Sequence, residues 1–298
     1  MALSTSTIAS VDYGSPNFSA NLSKLFNEKG YVVVNNVFDE HALTQMQSEM
    51  AKIVEQMDPD QHPKSVFSTL DEEKHTSDKY FLESVDKIRF FYEEGAFDKE
   101  NGKLVVPKQR ALNKVGHALH WLNPVFKQHS FSEKIQCIIK QIGYKLPKIV
   151  QSMYIFKQPC IGGAVTDHVD STFLQVEPAE HLVGIWIALD DSTLTNGCLW
   201  FIPGSHKENQ ANHYRFVRTS PKCLNSEETT SKGHLVKFVG TRPTYDQARF
   251  VPVEVKKGSL VLIDGKVVHK IEAEDTKWSE LNWLQESDEY KFPGLFTN

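Results

Sequence analysis

Cysteine is scarce in this chain of 298 residues. The four, Cys137, Cys160, Cys198 and Cys223, lie far apart and form no C-x-x-C pair. That spacing argues against a disulfide scaffold or a zinc ribbon and suits a reducing compartment. Long apolar runs are also missing. The longest, Leu182 to Leu189, is interrupted by Gly184 and is less than half of a membrane span. The opening residues MALSTSTIASVDYGS hold neither a basic n-region nor an apolar h-region, so no signal peptide is read. The final Phe296-Thr297-Asn298 is not a peroxisomal tripeptide. Positive charge is not in excess: 33 Lys and Arg against 38 Asp and Glu leave a net charge of −5, unlike the footprint of a nucleic-acid binder. The expectation is a cytoplasmic protein that acts on a small molecule and has no nucleic-acid or membrane partner. No G-x-G-x-x-G follows a strand, and there is no Walker loop, no G-x-S-x-G elbow and no internal repeat.

What is present is enough apolar residue, 40% against 24% charged, to build a large core. Residues 1–16 read as a loose Ser/Thr-rich tail and 17–298 as a single domain. Helical elements are expected over 17–147. Leu22, Leu25 and Phe26 recur at helical spacing before Gly30, a C-terminal stop, and Tyr31 to Val34 read as a strand. Asp39 is an N-cap with Phe38 and Leu43 as a hydrophobic staple, and the helix continues through Met46, Met50 and Val54 to about residue 57. Residues 58–80 read as loop and Lys87 to Tyr92 as a strand. Leu112, Val115, Leu119 and Leu122 return to helical spacing. Ser130 and Glu133 form a capping-box pair ahead of Ile135, Ile138, Ile139 and Ile142.

From about residue 148 to 285 the pattern changes to short β runs. They are Ile149–Phe156, Phe173–Glu177, Leu182–Leu189, Cys198–Ile202, Phe250–Val255, Ser259–Ile263 and Lys266–His269. Asn196-Gly197 and Asp264-Gly265 are hairpin dipeptides. Such strands point to a sandwich or barrel rather than a parallel sheet. A long polar insertion, about residues 207–249, separates two of them.

Within this region lies Thr166-Asp167-His168-Val169-Asp170. An H-x-D pair on or beside a strand turns both side chains to one face. With a second histidine it makes the two-His, one-carboxylate set of non-haem Fe(II) oxygenases. The pair alone says little, because the chain has a second H-x-[DE], His206-Lys207-Glu208, and composition accounts for both. His269, after the strand Gly258 to Ile263 and the turn Asp264-Gly265, suits the third position. A zinc enzyme with the same ligands remains open at this point. His117 and His120 read as structural.

Several segments occur in an order that closely resembles the phytanoyl-CoA dioxygenase family. They are Gln151-Ser-Met-Tyr-Ile-Phe-Lys-Gln-Pro159, Gly162-Gly163, His168-x-Asp170, Gly184-Ile-Trp-Ile-Ala-Leu189, Asn196-Gly-Cys-Leu-Trp-Phe-Ile-Pro-Gly-Ser-His206 and Val267-Val-His269. Asp86-Lys-Ile-Arg-Phe-Phe91 and Asn113-Lys-Val-Gly-His-Ala-Leu-His120 narrow the resemblance to one branch. It implies a mainly β fold with flanking helices (α+β), the cupin-like double-stranded β-helix or jelly roll. It also implies an oxidoreductase, a dioxygenase that uses Fe(II), 2-oxoglutarate as co-substrate and O2. By motif position His168, Asp170 and His269 are implied as metal ligands, with Lys114, Met153 and Trp186 against 2-oxoglutarate.

Two departures stand out. Relatives commonly carry Pro-His-Gln-Asp around the first ligands, whereas Asp167 here adds a carboxylate, expected to shift or compete for metal affinity. Relatives also carry an arginine about ten residues after the distal histidine, which pairs with the far carboxylate of 2-oxoglutarate. Here the last arginine is Arg249. The Ser/Arg-rich stretch and strand before Trp278-Ser-x-x-Asn-Trp283 are expected to be missing, which weakens co-substrate binding; Lys114 or Lys270 would compensate in part. A catalytically silent jelly-roll binding protein is the alternative.

Overall fold

The computed structural model describes residues 8–66, 79–159, 161–163, 165–174, 176, 181–208, 214–218, 236–271 and 294–296. Its frame is two four-stranded sheets, face to face. Tyr31–Asn35 (β2) is apolar at nearly every position because both of its faces are buried. Val32 and Val34 join the core beneath the helices, while Tyr31 and Val33 point between the sheets. Leu260–Asp264 (β12) divides in the same way: Leu260 and Leu262 go to one core, Val261 and Ile263 to the other. Each such side chain, fully buried, contributes roughly 1.5–3 kcal/mol.

With Ser10–Asp12 (β1) and Val183–Ile187 (β7), these strands form a sheet in the order β1-β2-β12-β7. The facing sheet has the order β11-β8-β13-β6, from Val251–Val253 (β11), Leu199–Phe201 (β8), His269–Ile271 (β13) and Val165–His168 (β6). Its pairings are all antiparallel. A third sheet contains Ile88–Tyr92 (β3), Leu112–His117 (β4) and Ser152–Ile155 (β5) in chain order. The arrangement is a jelly roll with helices outside. Among the described residues, β12 is the one strand partner of β7 and β4 the one strand partner of β5.

Phe18–Lys29 (α1) ends at Gly30, which is left-handed at φ 79°. A Cβ at Gly30 would lie 2.5 Å from Nδ1 of His206, so the chain needs glycine there for packing as well as conformation. Glu40–Gln56 (α2) is capped by Asp39, whose Oδ1 accepts from the Ala42 N–H at 2.9 Å. Its methionines are core residues, as Met46 and Met50 are both buried. No helix among the described residues is long and apolar enough to cross a membrane.

Several expectations are corrected. The loose tail does not extend to residue 16, because Ser10–Asp12 pairs in parallel with Val33 to Asn35. Leu112–His117 is a strand rather than a helix, held between β3 and β5. Ser130 closes the helix Pro124–Ser130 instead of capping the next, Glu133–Gln141, which follows Ser132. Phe173 follows a 3-10 turn, Asp170–Thr172, rather than opening a strand. Both hairpin dipeptides carry the chain from one sheet to the other: β7 to β8, and β12 to β13.

The insertion about 207–249 is less polar than its composition. It contains Arg215–Arg218 (β9) paired with Val236–Val239 (β10), and it buries Tyr214 and Phe216. The rest of that insertion over 209–213 and 219–235, most of the 58–80 loop, the tail before residue 8, Gln175 and Glu177 of the Phe173–Glu177 run, and the Trp278 to Trp283 end lie outside the described residues.

Candidate metal centre

The triad forms because β13 lies between β6 and β8, and its register sets His269 directly opposite both His168 and Phe201. The two imidazole centroids are 4.3 Å apart. Asp170 joins them although it sits in the 3-10 turn. Val169 between it and β6 is extended (φ −124°, ψ 139°), so the two-residue period persists one step past the strand. The Asp170 Oδ1 is 3.6 Å from His168 Nε2 and 3.7 Å from His269 Nε2. One ligand atom from each residue lies within 4.8 Å of the others, close enough for the three to share one metal ion.

The tautomers suit the role. His168 Nδ1 is 2.9 Å from the carbonyl of Thr166, and His269 Nδ1 is 3.0 Å from that of Val267. A carbonyl only accepts, so each Nδ1 carries the proton and each Nε2 keeps its lone pair toward Asp170. Burial, with His168 beside it, pushes the His269 imidazole down to about 4. Burial raises the Asp170 carboxyl, but His269 and His168 outweigh it and the net direction is down. Two neutral imidazoles and one carboxylate are the donor set that Fe(II) prefers. Gly184 supplies room: a Cβ there would stand 3.2 Å from Asp170 Oδ2.

Three elements hold His269 in place. Ser205 Oγ accepts from the Val268 N–H at 2.8 Å, and the Ile202 N–H donates to the Val268 carbonyl at 2.9 Å. The Gly204 N–H donates to the Lys29 carbonyl at 2.8 Å, and His206 Nε2 to that of Asn27 at 3.1 Å. The second H-x-[DE] motif is thus a latch between α1 and the turn before β13, and Glu208 pairs with Arg249. In the sequence, Ser205 is one residue of the segment Asn196 to His206, and its service to the turn before β13 has no local signal.

Asp167 lies away from the triad. Gln247 Nε2 donates to its Oδ2 at 2.7 Å and Arg242 lies 3.9 Å from its Oδ1, so it ties β6 to the insertion instead of competing for metal. Lys270, next to His269, points to the other face of β13. Its ammonium lies over the rings of Trp200 and Phe250 and donates to Gln247 Oε1 at 3.2 Å. It is not placed to replace an arginine at the triad.

Trp186 on β7 pairs with Val261 and packs into the apolar layer between the two sheets, which includes Phe201. Met153 on β5 lies opposite Gly116, and Lys114 is buried on β4 over Phe81 and Phe91. Burial holds the Lys114 ammonium well below its usual range. Phe81 and Phe91 belong to one aromatic cluster with Phe173, whose ring is 5.9 Å from His168, so apolar contact links Lys114 to the triad.

A family model for phytanoyl-CoA dioxygenase (PhyH) matches residues 26–277. A phytanoyl-CoA dioxygenase domain-containing protein 1 homolog of Caenorhabditis elegans is 56% identical over 293 residues, covering 93% of this chain and 99% of that protein. The Danio rerio phytanoyl-CoA dioxygenase domain-containing protein 1 is 44% identical over 292 residues, covering 91% and 96%. Among solved structures, the non-haem α-ketoglutarate-dependent carbocyclase SnoK has a TM-score of 0.54 at 17% identity, covering 86% of this chain and 78% of its own. EctD from S. alaskensis with bound Fe has a TM-score of 0.52 at 15% identity, covering 91% and 76%. These likenesses agree with the jelly roll described above. The chain belongs to the phytanoyl-CoA dioxygenase family.

Proposed function

We propose that this chain binds Fe(II) through His168, Asp170 and His269 and, with 2-oxoglutarate and O2, hydroxylates a small or acyl-type substrate. The observation that carries the proposal is the convergence of two lone-pair-bearing Nε2 atoms and one carboxylate oxygen within 4.8 Å. Ferrous iron bound there supplies the chemistry that couples decarboxylation of 2-oxoglutarate to oxidation of a C–H bond.

The protein groups have separate tasks. The carbonyls of Thr166 and Val267 fix the imidazole tautomers before any ligand arrives. Three ligands on one face leave the opposite face for co-substrate and oxygen. Trp186, Phe201 and Phe173 exclude water around it. Lys114 and Met153 extend the site, with Lys114 meeting a carboxylate as a point charge. An arriving carboxylate favours the charged form of that lysine and opposes the effect of its burial.

Co-substrate binding is weaker here than in a relative that retains the arginine. No arginine follows Arg249 in the sequence. The 93% of this chain that aligns with the C. elegans relative is fewer residues than the 293 positions aligned. That relative therefore has residues with no counterpart here, which supports a missing segment. The edge of β7 that has no strand partner among the described residues supports it too. The same observations favour the second reading, a silent jelly-roll protein that keeps its metal. Net acidity favours a small molecule over nucleic acid as partner.

An anaerobic titration with Fe(II), then 2-oxoglutarate, separates the two. A saturable visible charge-transfer band that disappears in His168→Ala supports the dioxygenase. Stoichiometric iron without a band supports the silent protein. Metal analysis after anaerobic purification tests the zinc alternative.

A further inference from the structure

The hairpin of β9 and β10 has one inward face. Tyr214, just before β9, is buried, as are Phe216 on β9 and Val236 on β10, while Lys237 and Val239 are exposed. Phe216 pairs directly with Phe238, their ring centroids 4.9 Å apart, and Tyr214 stacks on Phe238 at 5.0 Å. Among the described residues these two strands form a sheet of their own. A two-stranded sheet is marginal in water, so this one is stabilised by what its inward face meets.

That face meets the metal-bearing turn. The Phe173 ring centroid is 6.4 Å from those of both Phe216 and Phe238, and 5.9 Å from the His168 imidazole. All three separations fall in the range of attractive ring pairs. The Phe173 backbone N–H donates to the Asp170 carbonyl at 3.0 Å and closes the turn. One residue thus touches the ring of one ligand, closes the turn that carries another, and seats both on the hairpin. β9 itself packs on the turn Asp170–Thr172.

The same insertion holds the other end of the ligand segment. Gln247 Nε2 donates to Asp167 Oδ2 at 2.7 Å, and Arg242 Nη2 donates to Thr166 Oγ1 at 3.1 Å. Residues 166–173, which carry His168 and Asp170, are therefore gripped at both ends by one excursion of the chain. His269 is held separately, through the contacts of Ser205 and Ile202 to Val268.

We propose that the β9–β10 hairpin is a clamp on the metal-bearing segment, with Phe216 and Phe238 as positioning residues, and that hairpin docking and metal binding strengthen each other. This inference rests on the reading of His168, Asp170 and His269 as a metal site. Phe173 is the shared part: seated on the hairpin, it holds the turn that presents Asp170 to the two Nε2 atoms. An ion that favours the seated turn must favour the docked hairpin by the same factor. A hairpin that only covered apolar surface would be indifferent to the ion.

The test adds Fe(II) alone, anaerobically, to the full chain. In the wild type, Fe(II) is expected to slow amide hydrogen exchange in β9 and β10 more than in α2, which packs in the other core. Phe216→Ala and Phe238→Ala should each weaken Fe(II) binding roughly two- to tenfold, the worth of an aromatic pair. Phe216→Leu, which keeps an apolar contact, should recover most of the loss. Met50→Ala, a cavity beneath α2, controls for lost stability and should leave Fe(II) affinity unchanged. Exchange in β9 and β10 that is the same with and without Fe(II) overturns the proposal. So does wild-type affinity in Phe216→Ala, or an equal loss in Met50→Ala. In each of those cases the triad reading stands if His269→Ala loses Fe(II). A wild type that takes up no Fe(II), or a His269→Ala variant that takes up as much as wild type, sinks both. If Phe216→Ala does not fold, Phe238→Ala and the wild-type exchange decide the case.

Discussion

The Ser205 hydroxyl receives the backbone N–H of Val268 at 2.8 Å, one residue before His269 of the triad. Both residues are buried, and no water can take the place of that bond cheaply. Ser205→Ala should cost about 1–3 kcal/mol, the penalty for a stranded buried donor, and should weaken Fe(II) binding as the turn before β13 loosens. Thermal melts and anaerobic iron titration check both. A variant as stable as wild type with unchanged iron affinity would remove Ser205 from the support of His269.

Gly30→Ala should be worse. The left-handed φ costs about 1 kcal/mol and the forced contact with His206 and Val267 about 1–3 more. Urea unfolding should show the drop, and its size should fall when His206 is replaced by alanine in the same chain. Independent, additive losses would mean that the ring is not the obstacle.

Asp167→Asn tests the donor set from the other side. Asp167 is held by Gln247 and Arg242, so iron stoichiometry should remain and affinity should change less than about twofold, the size of a surface effect. A large loss of iron would place Asp167 back among the ligands.

Glu93 gives the chain a pH signature away from the metal. It is fully buried, and burial pushes its carboxyl up to about 7, with Asn113 and Lys157 pulling less strongly the other way. An acid whose folded pKa exceeds its unfolded one binds more protons when folded. Its contribution is therefore full below the unfolded value near 4.5 and is lost as pH rises toward 7. The difference amounts to about 3 kcal/mol at most. Glu93→Gln should flatten the stability profile between those values. A wild-type profile that is already flat there would contradict the burial argument.

Much of the β region was legible in the sequence, because β2 and β12 alternate between two apolar layers and only a sheet covered on both faces needs that pattern. Leu112 to His117 misled for a definite reason. The β3–β4 register skips Asn113, pairing Phe91 with Lys114 and Tyr92 with Leu112. The bulge returns Leu112 and Val115 to one core, and their spacing then imitates a helix. Asn196-Gly197 and Asp264-Gly265 were legible as reversals, but a turn dipeptide does not reveal whether the next strand pairs with the last or crosses to another sheet. His168 and His206 carry equivalent local patterns. Only the long-range pairing that brings β13 beside β6 tells a ligand from a latch.

The placement of His269 opposite both His168 and Phe201 has a consequence for how the chain matures. Side chains alternate along β13, so a one-residue slip would turn Lys270 inward and His269 outward. An ammonium would then occupy the ground intended for a divalent cation. The slip would also turn the buried Ile271 outward, and a metal ion bound by the triad would add to that preference for the native alignment by mass action. An ion held at the triad would thus proofread the sheet as well as complete the site.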